Sequence, residues 1–242
     1  RRLPRVTKDP LVSDDWLIEH IKAPDVRIVD ATWIAPWTID PDTVTTAQSI
    51  YATEHIPGAV HFDIESIADP KSDLPHMMPS PEMFSSRVRK MGLGDGNRIV
   101  VYDRGSFMAS ARVWAMFRIM GHEDVVVLDG GLHAWLAAGQ ETSDLPPIPS
   151  ERHFTVRVQN HLLKSFEQVE AAVRSRDTPI LDARPKGRFD GTAPEPREGL
   201  RSGHIPGSMN IPASGLMDEN GLMKSVSDLQ DLLGDIVGPK PV

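Results

Sequence analysis

Cysteine is absent from the 242 residues, and its absence excludes several kinds of chemistry at once. The chain can form no disulfide and no thiolate metal site, and it contains no cysteine nucleophile. Long apolar runs are also lacking, because the longest reach only strand length, so a membrane span is not expected. Basic residues are in deficit, 26 against 34 acidic ones, and the formal net charge of -8 disfavours nucleic acid and anionic membranes as partners.

The remaining composition is that of a globular chain. Hydrophobic residues make up 40% of the sequence and charged residues 25%, and the length allows two domains with a core each. The chain begins at Arg1 with neither methionine nor the apolar stretch of a signal peptide. We therefore expect a trimmed or partial start and, by default, a cytoplasmic protein. The nine histidines show no paired spacing on a helix, so no metal site is predicted.

One phrase occurs almost unchanged twice, as His55–Val60 and as His204–Met209. The sequence before each copy also repeats, with Val29-Asp30-Ala31 ahead of the first and Leu181-Asp182-Ala183 ahead of the second. A repeat of this period predicts one domain duplicated in tandem. We place the first domain at residues 1–142 and the second at 161–242. The intervening linker, residues 143–160, is marked by its prolines, which are Pro146, Pro147 and Pro149.

Each copy alternates helical and strand patterns, which is typical of an α/β fold with a largely parallel sheet. Capping residues before apolar stretches predict helices that begin after Ser13, Ser80, Ser165 and Ser225, and further helices over Ala109–Met120 and Leu132–Ala138. Short apolar runs predict strands at Val26–Asp30, Arg98–Asp103, Val125–Leu128 and Pro179–Ala183.

Six phrases in both halves resemble the tandem-domain rhodanese superfamily, and among its members most closely the mercaptopyruvate sulfurtransferases. They are His55–Phe62, Val101-Tyr102-Asp103, Arg112-Val113-Trp114, Leu128–Trp135, Gly187–Arg197 and Gly203–Pro212. The resemblance implies two domains with central, mostly parallel sheets flanked by helices. It also implies a silent first domain and a second domain whose cysteine lies in a loop between strand and helix. The matching loop of the first copy is Asp103–Ser110, with Ser106 near the cysteine's place, and we expect this loop to be structural.

The resemblance further implies that Arg188 and Arg197 hold the carboxylate and carbonyl of an α-keto acid, a task that suits a guanidinium fork. The alternative is that both are surface arginines paired with carboxylates such as Glu195. Glu65 and His76 match an acid and a histidine that serve as a proton relay, although aspartate is usual where Glu65 stands. In the alternative reading His76 merely packs its loop. The repeated histidines, His55 and His204, are expected to bond nearby backbone.

The function implied is transfer of sulfane sulfur from 3-mercaptopyruvate or thiosulfate through a cysteine persulfide, without a cofactor. The acceptor would be cyanide or a thiol, such as a thioredoxin-type protein or a small thiol. Aligning the copies sets Val242 level with Val100, so the second domain is expected to be incomplete here, with the cysteine within roughly ten residues after Val242. The chain as printed would then be inactive. The alternative is a non-catalytic rhodanese-like binding or regulatory protein that lacks the nucleophile.

Overall fold

The structure of the chain is a computed structural model that describes residues 9–35, 38 and 45–237, without the side chains of 235–237. The chain divides into two units between Leu163 and Lys164. The start at Arg1 and the strand approach expected at Gly238–Val242 lie outside the described residues.

The first unit alternates strands and helices around one parallel sheet. Its strands are β1 (Leu11–Val12), β2 (Val26–Asp30), β3 (Val60–His61), β4 (Arg98–Tyr102) and β5 (Val125–Leu128), in the spatial order β1-β5-β4-β2-β3. Its helices are α1 (Asp14–His20), α2 (Ala47–Thr53), α3 (Ile64–Ile67), α4 (Pro81–Lys90), α5 (Met108–Ile119) and α6 (Gly131–Ala137). All pairings in the sheet are parallel, which confirms the predicted α/β class.

Strand β4 lies at the centre of the sheet and all five of its residues are buried. Because successive strand side chains point to opposite faces, Ile99 and Val101 join one core cluster, while Val100 and Tyr102 join the other. The first cluster is rich in phenylalanine, with Phe62, Phe84, Phe117 and Phe154 in mutual ring contact. Both faces of the sheet are therefore covered, as a parallel sheet requires.

The segment that the prolines mark as a linker does not run free, because it packs along the first unit. Phe154 is buried in the phenylalanine cluster, and Thr155 donates through both its backbone N–H and its hydroxyl to Asp95. The backbone of Arg157 donates to Met120, and Gly121 beneath it has no room for a side chain. The extended conformation predicted from proline therefore serves as a packed edge of the first unit, held by burial that the proline content does not reveal.

The second unit contains α7 (Phe166–Ser175), β6 (Leu181–Asp182), α8 (Lys186–Asp190), β7 (Met209–Asn210) and α9 (Val226–Val237). Ser165 caps α7 through the predicted capping box with Gln168. The two strands pair in parallel, and Leu181 on β6 is 42% exposed. Among the described residues of this unit, the one hydrophobic side chain classed as buried is Ile211. None of the described helices in either unit is long and apolar enough to cross a membrane.

Candidate functional site

The predicted acid and histidine lie together in the first unit. Asp63 caps α3 by accepting from the backbone of Glu65, which sets the Glu65 side chain at the start of this short helix. His76 lies in the following loop, and its Nδ1 is 2.9 Å from the Glu65 carboxylate. The indole N–H of Trp33 donates to the same carboxylate at 2.8 Å. Glu65 thus fixes the orientation of the imidazole, the arrangement that a proton relay needs.

A cavity of about 230 Å³ adjoins this pair. Its walls are mainly apolar, and it is lined by Trp33, Ile64, His76, Met108, Ala109 and Arg112. Met108 and Ala109 begin α5, directly after β4 and its loop, so the cavity lies outside the carboxyl end of a parallel strand. This is where α/β sheets ordinarily bind small molecules.

The loop that corresponds to the family's catalytic loop is filled by a carboxylate of its own. Asp103, buried at the end of β4, accepts from the backbone N–H groups of Gly105, Phe107 and Ser110 at 2.9 to 3.1 Å. The hydroxyls of Ser106 and Ser110 also donate to it. The loop is thus an anion cradle, as the resemblance implies, but its occupant is a protein side chain. The Ser106 hydroxyl contacts an acid and no histidine base, which supports a structural role for this loop.

In the second unit, Arg188 lies on α8 and pairs with Glu195. Its Nε and Nη2 donate to Glu195 Oε2 at 3.0 and 2.6 Å. Arg184 donates to the other oxygen of Glu195 at 3.0 Å and also to both oxygens of Asp182. Hydrogen bonds from Arg188 hold the pKa of Glu195 below its ordinary value, and those from Arg184 do the same for the pKa of Asp182. Glu195 is therefore a shared carboxylate between two guanidinium groups.

This network includes the pairing that the sequence left open for Arg188 and adds a residue that the sequence analysis missed. Arg184 was not singled out from the sequence, because it lies outside the Gly187–Arg197 phrase. Its position two residues after a strand-ending aspartate could have indicated a contact with that aspartate. Arg197 lies half-buried in the loop that follows α8 and that also carries Glu195. Arg188 contacts Glu195 through Nε and Nη2, and its Nη1 is not part of this contact.

The two repeated histidines contact backbone, as predicted. The Nδ1 of His55 lies 2.7 Å from the Tyr51 carbonyl, and the Nδ1 of His204 lies 2.8 Å from the Phe189 carbonyl. Each imidazole also stacks on the aromatic ring of the residue whose carbonyl it contacts. Through this contact, His204 ties its turn to α8, which carries Arg188.

Comparison with known proteins assigns the fold to a class. A model of the rhodanese-like domain matches residues 13–138. The human 3-mercaptopyruvate sulfurtransferase is 36% identical over 92% of this chain and 75% of its own length. The corresponding Escherichia coli protein is 39% identical over 90% of this chain and 76% of its own length. An Arabidopsis thaliana thiosulfate/3-mercaptopyruvate sulfurtransferase, a mitochondrial protein, is 36% identical over 98% of this chain and 67% of its own length.

Solved structures agree with this assignment. The crystal structure of SseA from Escherichia coli, a 3-mercaptopyruvate sulfurtransferase with the rhodanese fold, superposes on this chain with a TM-score of 0.84 at 34% identity. The match covers 94% of this chain and 83% of that one. The chain belongs to the rhodanese family, and the resemblance read from its six phrases is confirmed. The relatives that share most of its length are enzymes that transfer sulfur.

Proposed function

We propose that the chain belongs to a sulfurtransferase that takes sulfur from 3-mercaptopyruvate or from thiosulfate. The observation that carries this proposal is the identity of 36 to 40% with named 3-mercaptopyruvate and thiosulfate sulfurtransferases over at least nine-tenths of the chain. Arg188 and Arg197 favour 3-mercaptopyruvate as the donor, because guanidinium groups suit its carboxylate. The contact of Glu65 with His76 adds support as a candidate acid–base pair, and Arg188 in its network with Glu195 adds support as a candidate anion-binding group.

In the proposed reaction, a cysteine thiolate attacks the sulfur of mercaptopyruvate. The carbon–sulfur bond breaks, its electron pair forms the enolate of pyruvate, and the sulfur stays on the enzyme as a persulfide. A proton must reach the enolate carbon, and His76, oriented by Glu65, is the group we propose to handle it. Arg188 and Arg197 hold the carboxylate and the carbonyl oxygen, where negative charge grows as the bond breaks.

The second half of the reaction passes the outer sulfur of the persulfide to an acceptor. An acceptor thiolate attacks that sulfur, takes it as a new persulfide, and returns the enzyme cysteine as a thiolate. A small thiol, a thioredoxin-type protein or cyanide fits this chemistry. Since the 242 residues contain no cysteine, we propose that the nucleophile is encoded after Val242. The proposed compartment is the cytoplasm, which cell fractionation against a mitochondrial marker would test.

Turnover by the cysteine-containing protein tests the proposal. Pyruvate release should depend on 3-mercaptopyruvate and on an acceptor thiol, and a persulfide on the enzyme should be detectable by mass when the acceptor is omitted. His76→Gln should slow pyruvate formation far more than sulfite release from thiosulfate, because sulfite leaves without protonation at carbon. Absence of turnover with both donors would count against the assignment.

A second candidate is favoured by one observation, the lack of cysteine in a chain whose first-unit loop is filled by Asp103. Under this candidate the protein would be a rhodanese-like binding or regulatory protein without catalysis. The sequence of the gene beyond Val242 separates the two, since a cysteine there supports the enzyme and its absence supports the binding protein.

A further inference from the structure

The backbone of His76 adopts a left-handed conformation, which contacts with neighbouring residues must stabilise. Its φ of +58° lies in the left-handed region, and Phe107 and Arg176 are the other non-glycine residues with positive φ in the part of the chain the structure describes. Residues other than glycine enter this region at a cost, and they stay there where surrounding contacts fix them. The same conformation accompanies the contact of the His76 imidazole with Glu65.

The contact on the other side of His76 comes from Arg112. Its Nη2 donates to the His76 carbonyl oxygen at 2.5 Å. Arg112 lies in the first half of α5, which begins where the Asp103 loop ends. Helix α5 is fixed to the sheet by Val113, Met116 and Phe117, all of them buried. The Arg112 guanidinium is thus presented to the loop of His76 from a rigid element.

The guanidinium of Arg112 is partly buried, and its charge is poorly compensated. Burial lowers the pKa of Arg112, and no neighbouring carboxylate of the described residues raises it again. Its Nε is buried and makes no hydrogen bond. A partly buried cation that contacts a neutral carbonyl contributes little net stability, because the partial desolvation of the charge offsets much of the hydrogen bond. The contact is therefore better explained by the position that it gives His76 than by a contribution to the stability of the fold.

We propose that Arg112 is a positioning residue that holds the left-handed backbone of His76, so that the imidazole stays against Glu65 and beside the cavity. Trp33 fixes the Glu65 side of the pair, and Arg112 fixes the His76 side. The proposal rests on the proposed function only in giving His76 a part in the reaction, because the conformational role can be tested without turnover.

Nuclear magnetic resonance of the 242-residue chain tests the conformational role directly. Arg112→Met keeps an unbranched, flexible side chain, although a shorter one, and removes its donors. We expect the His76 Cα and Cβ shifts to move from left-handed to extended values and the ring to lose its contact with Glu65, whereas Arg112→Lys, which keeps a donor, should retain part of the original signal. Arg118→Met on the same helix is the matched control, since Arg118 is bonded to Glu123 and not to His76. Unchanged His76 shifts in folded Arg112→Met would overturn the proposal. If Arg112→Met does not fold, Arg112→Gln with the same measurement replaces it.

Kinetics of the cysteine-containing protein test the functional consequence. Arg112→Met should lower kcat for 3-mercaptopyruvate by about tenfold or more while KM changes within about twofold, because the relay is displaced and the carboxylate contacts remain. Arg112→Lys should recover part of the rate, and Arg118→Met should match the unmodified protein. If His76→Gln has no effect, the proposed relay fails. If His76→Gln slows the enzyme and Arg112→Met does not, the relay stands and the positioning role is wrong.

Discussion

The two units share a strand frame, which is a pair of parallel strands whose first strand ends in an aspartate. Different polar residues surround this frame in each unit. In the first unit, β2 pairs with β3 through Val29–Val60 and Asp30–His61, and in the second, β6 pairs with β7 through Leu181–Met209 and Asp182–Asn210. Both aspartates end their strands, and both accept from the backbone N–H two residues later, that of Thr32 or of Arg184. In each unit the repeated phrase leads into the second strand of the pair. The tandem duplication itself stays a prediction, which this correspondence supports.

What surrounds the two aspartates differs. The second oxygen of Asp30 accepts from the Tyr102 hydroxyl of β4, which also receives the backbone N–H of Ile56 from the repeated phrase. The second oxygen of Asp182 instead accepts from Arg184, which also contacts Glu195. A strand-ending aspartate thus closes a buried hydroxyl network in one unit and anchors an arginine network in the other. The difference shows that the strand frame forms from residues close in sequence, whereas the partners of its aspartate depend on which loop lies beside it.

The loops differ as well. In the first unit, Tyr51 stacks on the repeated His55 four residues later along the chain, whereas in the second, Phe189 stacks on His204 across fifteen residues. The longer connection carries Glu195 and Arg197. The first unit places its polar pair, Glu65 and His76, after its second paired strand instead. The two units therefore carry their candidate polar residues on different loops.

The largest expected effect tests whether the second unit holds the nucleophile. We predict a cysteine within roughly ten residues after Val242, in a loop like Asp103–Ser110, because the aligned first-unit loop begins three residues after Val100. Its pKa should lie below that of a free thiol, since a helix N-terminus favours the thiolate. A polypeptide confirmed by intact mass to end at Val242 should show no sulfur transfer. Turnover by that polypeptide, or a gene without cysteine in this window, would contradict the mechanism.

The next effect concerns stability of the first unit. Phe154→Ala should lower the free energy of unfolding by about 3–5 kcal/mol, because it empties a site in the phenylalanine cluster. Ile148→Ala, in the same segment but 97% exposed, should change it by less than about 0.5 kcal/mol. Chemical denaturation of both variants checks this. Equal effects would show that the segment is a linker after all.

A substitution of Arg197 should lower the activity with one sulfur donor more than with the other. Arg197→Ala is expected to cost about 2–4 kcal/mol of transition-state stabilisation with 3-mercaptopyruvate, through loss of a charge-assisted carboxylate contact. The loss with thiosulfate should be much smaller, since thiosulfate has no carboxylate. Values of kcat/KM for both donors measure it. A similar loss with each donor would refute a carboxylate-specific role.

The polar pair of the first unit should show a smaller loss. Glu65→Gln keeps an acceptor for Trp33 and removes the charge that orients His76, so kcat for 3-mercaptopyruvate should fall by about 10- to 100-fold. Ser66→Ala on the same helix is the matched control, because Ser66 is exposed, donates to the Asp63 carbonyl and leaves the Glu65–His76 contact intact. If Glu65→Gln retains full activity, His76 is better explained by loop packing.

The smallest effect is the pH dependence of the arginine network. The pKa of Glu195 is lowered in the folded chain, so its contribution to stability is present above its ordinary value of 4.5 and is lost as the pH falls through the lower folded value. Glu195→Gln should therefore flatten the acid limb of the unfolding curve. Glu198→Gln, on the same loop and exposed, should leave that limb unchanged. The unfolding midpoint measured between pH 6 and pH 3 decides it.

Much of the frame was predictable because it depends on neighbours close in sequence. Ser80 caps α4 with Pro81 at the first helical position, and Ser165 forms the predicted capping box. The helices α2, α3 and α8 escaped prediction, since each is short and α3 and α8 span a single turn or little more. Their formation depends on caps such as Asp63 and on packing that sequence periodicity cannot reveal over so few residues.

The sequence by itself determined the family, the α/β alternation, the repeated turns and the candidate residues, because these follow from local hydrogen bonding, apolar periodicity and residue identity. Only the tertiary structure decided that Asp103 fills its own loop, that Glu195 lies between Arg184 and Arg188, and that Arg112 reaches the carbonyl of His76. The last of these joins residues 36 positions apart. Contacts of this kind depend on how elements pack and on which buried polar groups must find a partner, and chain order records neither.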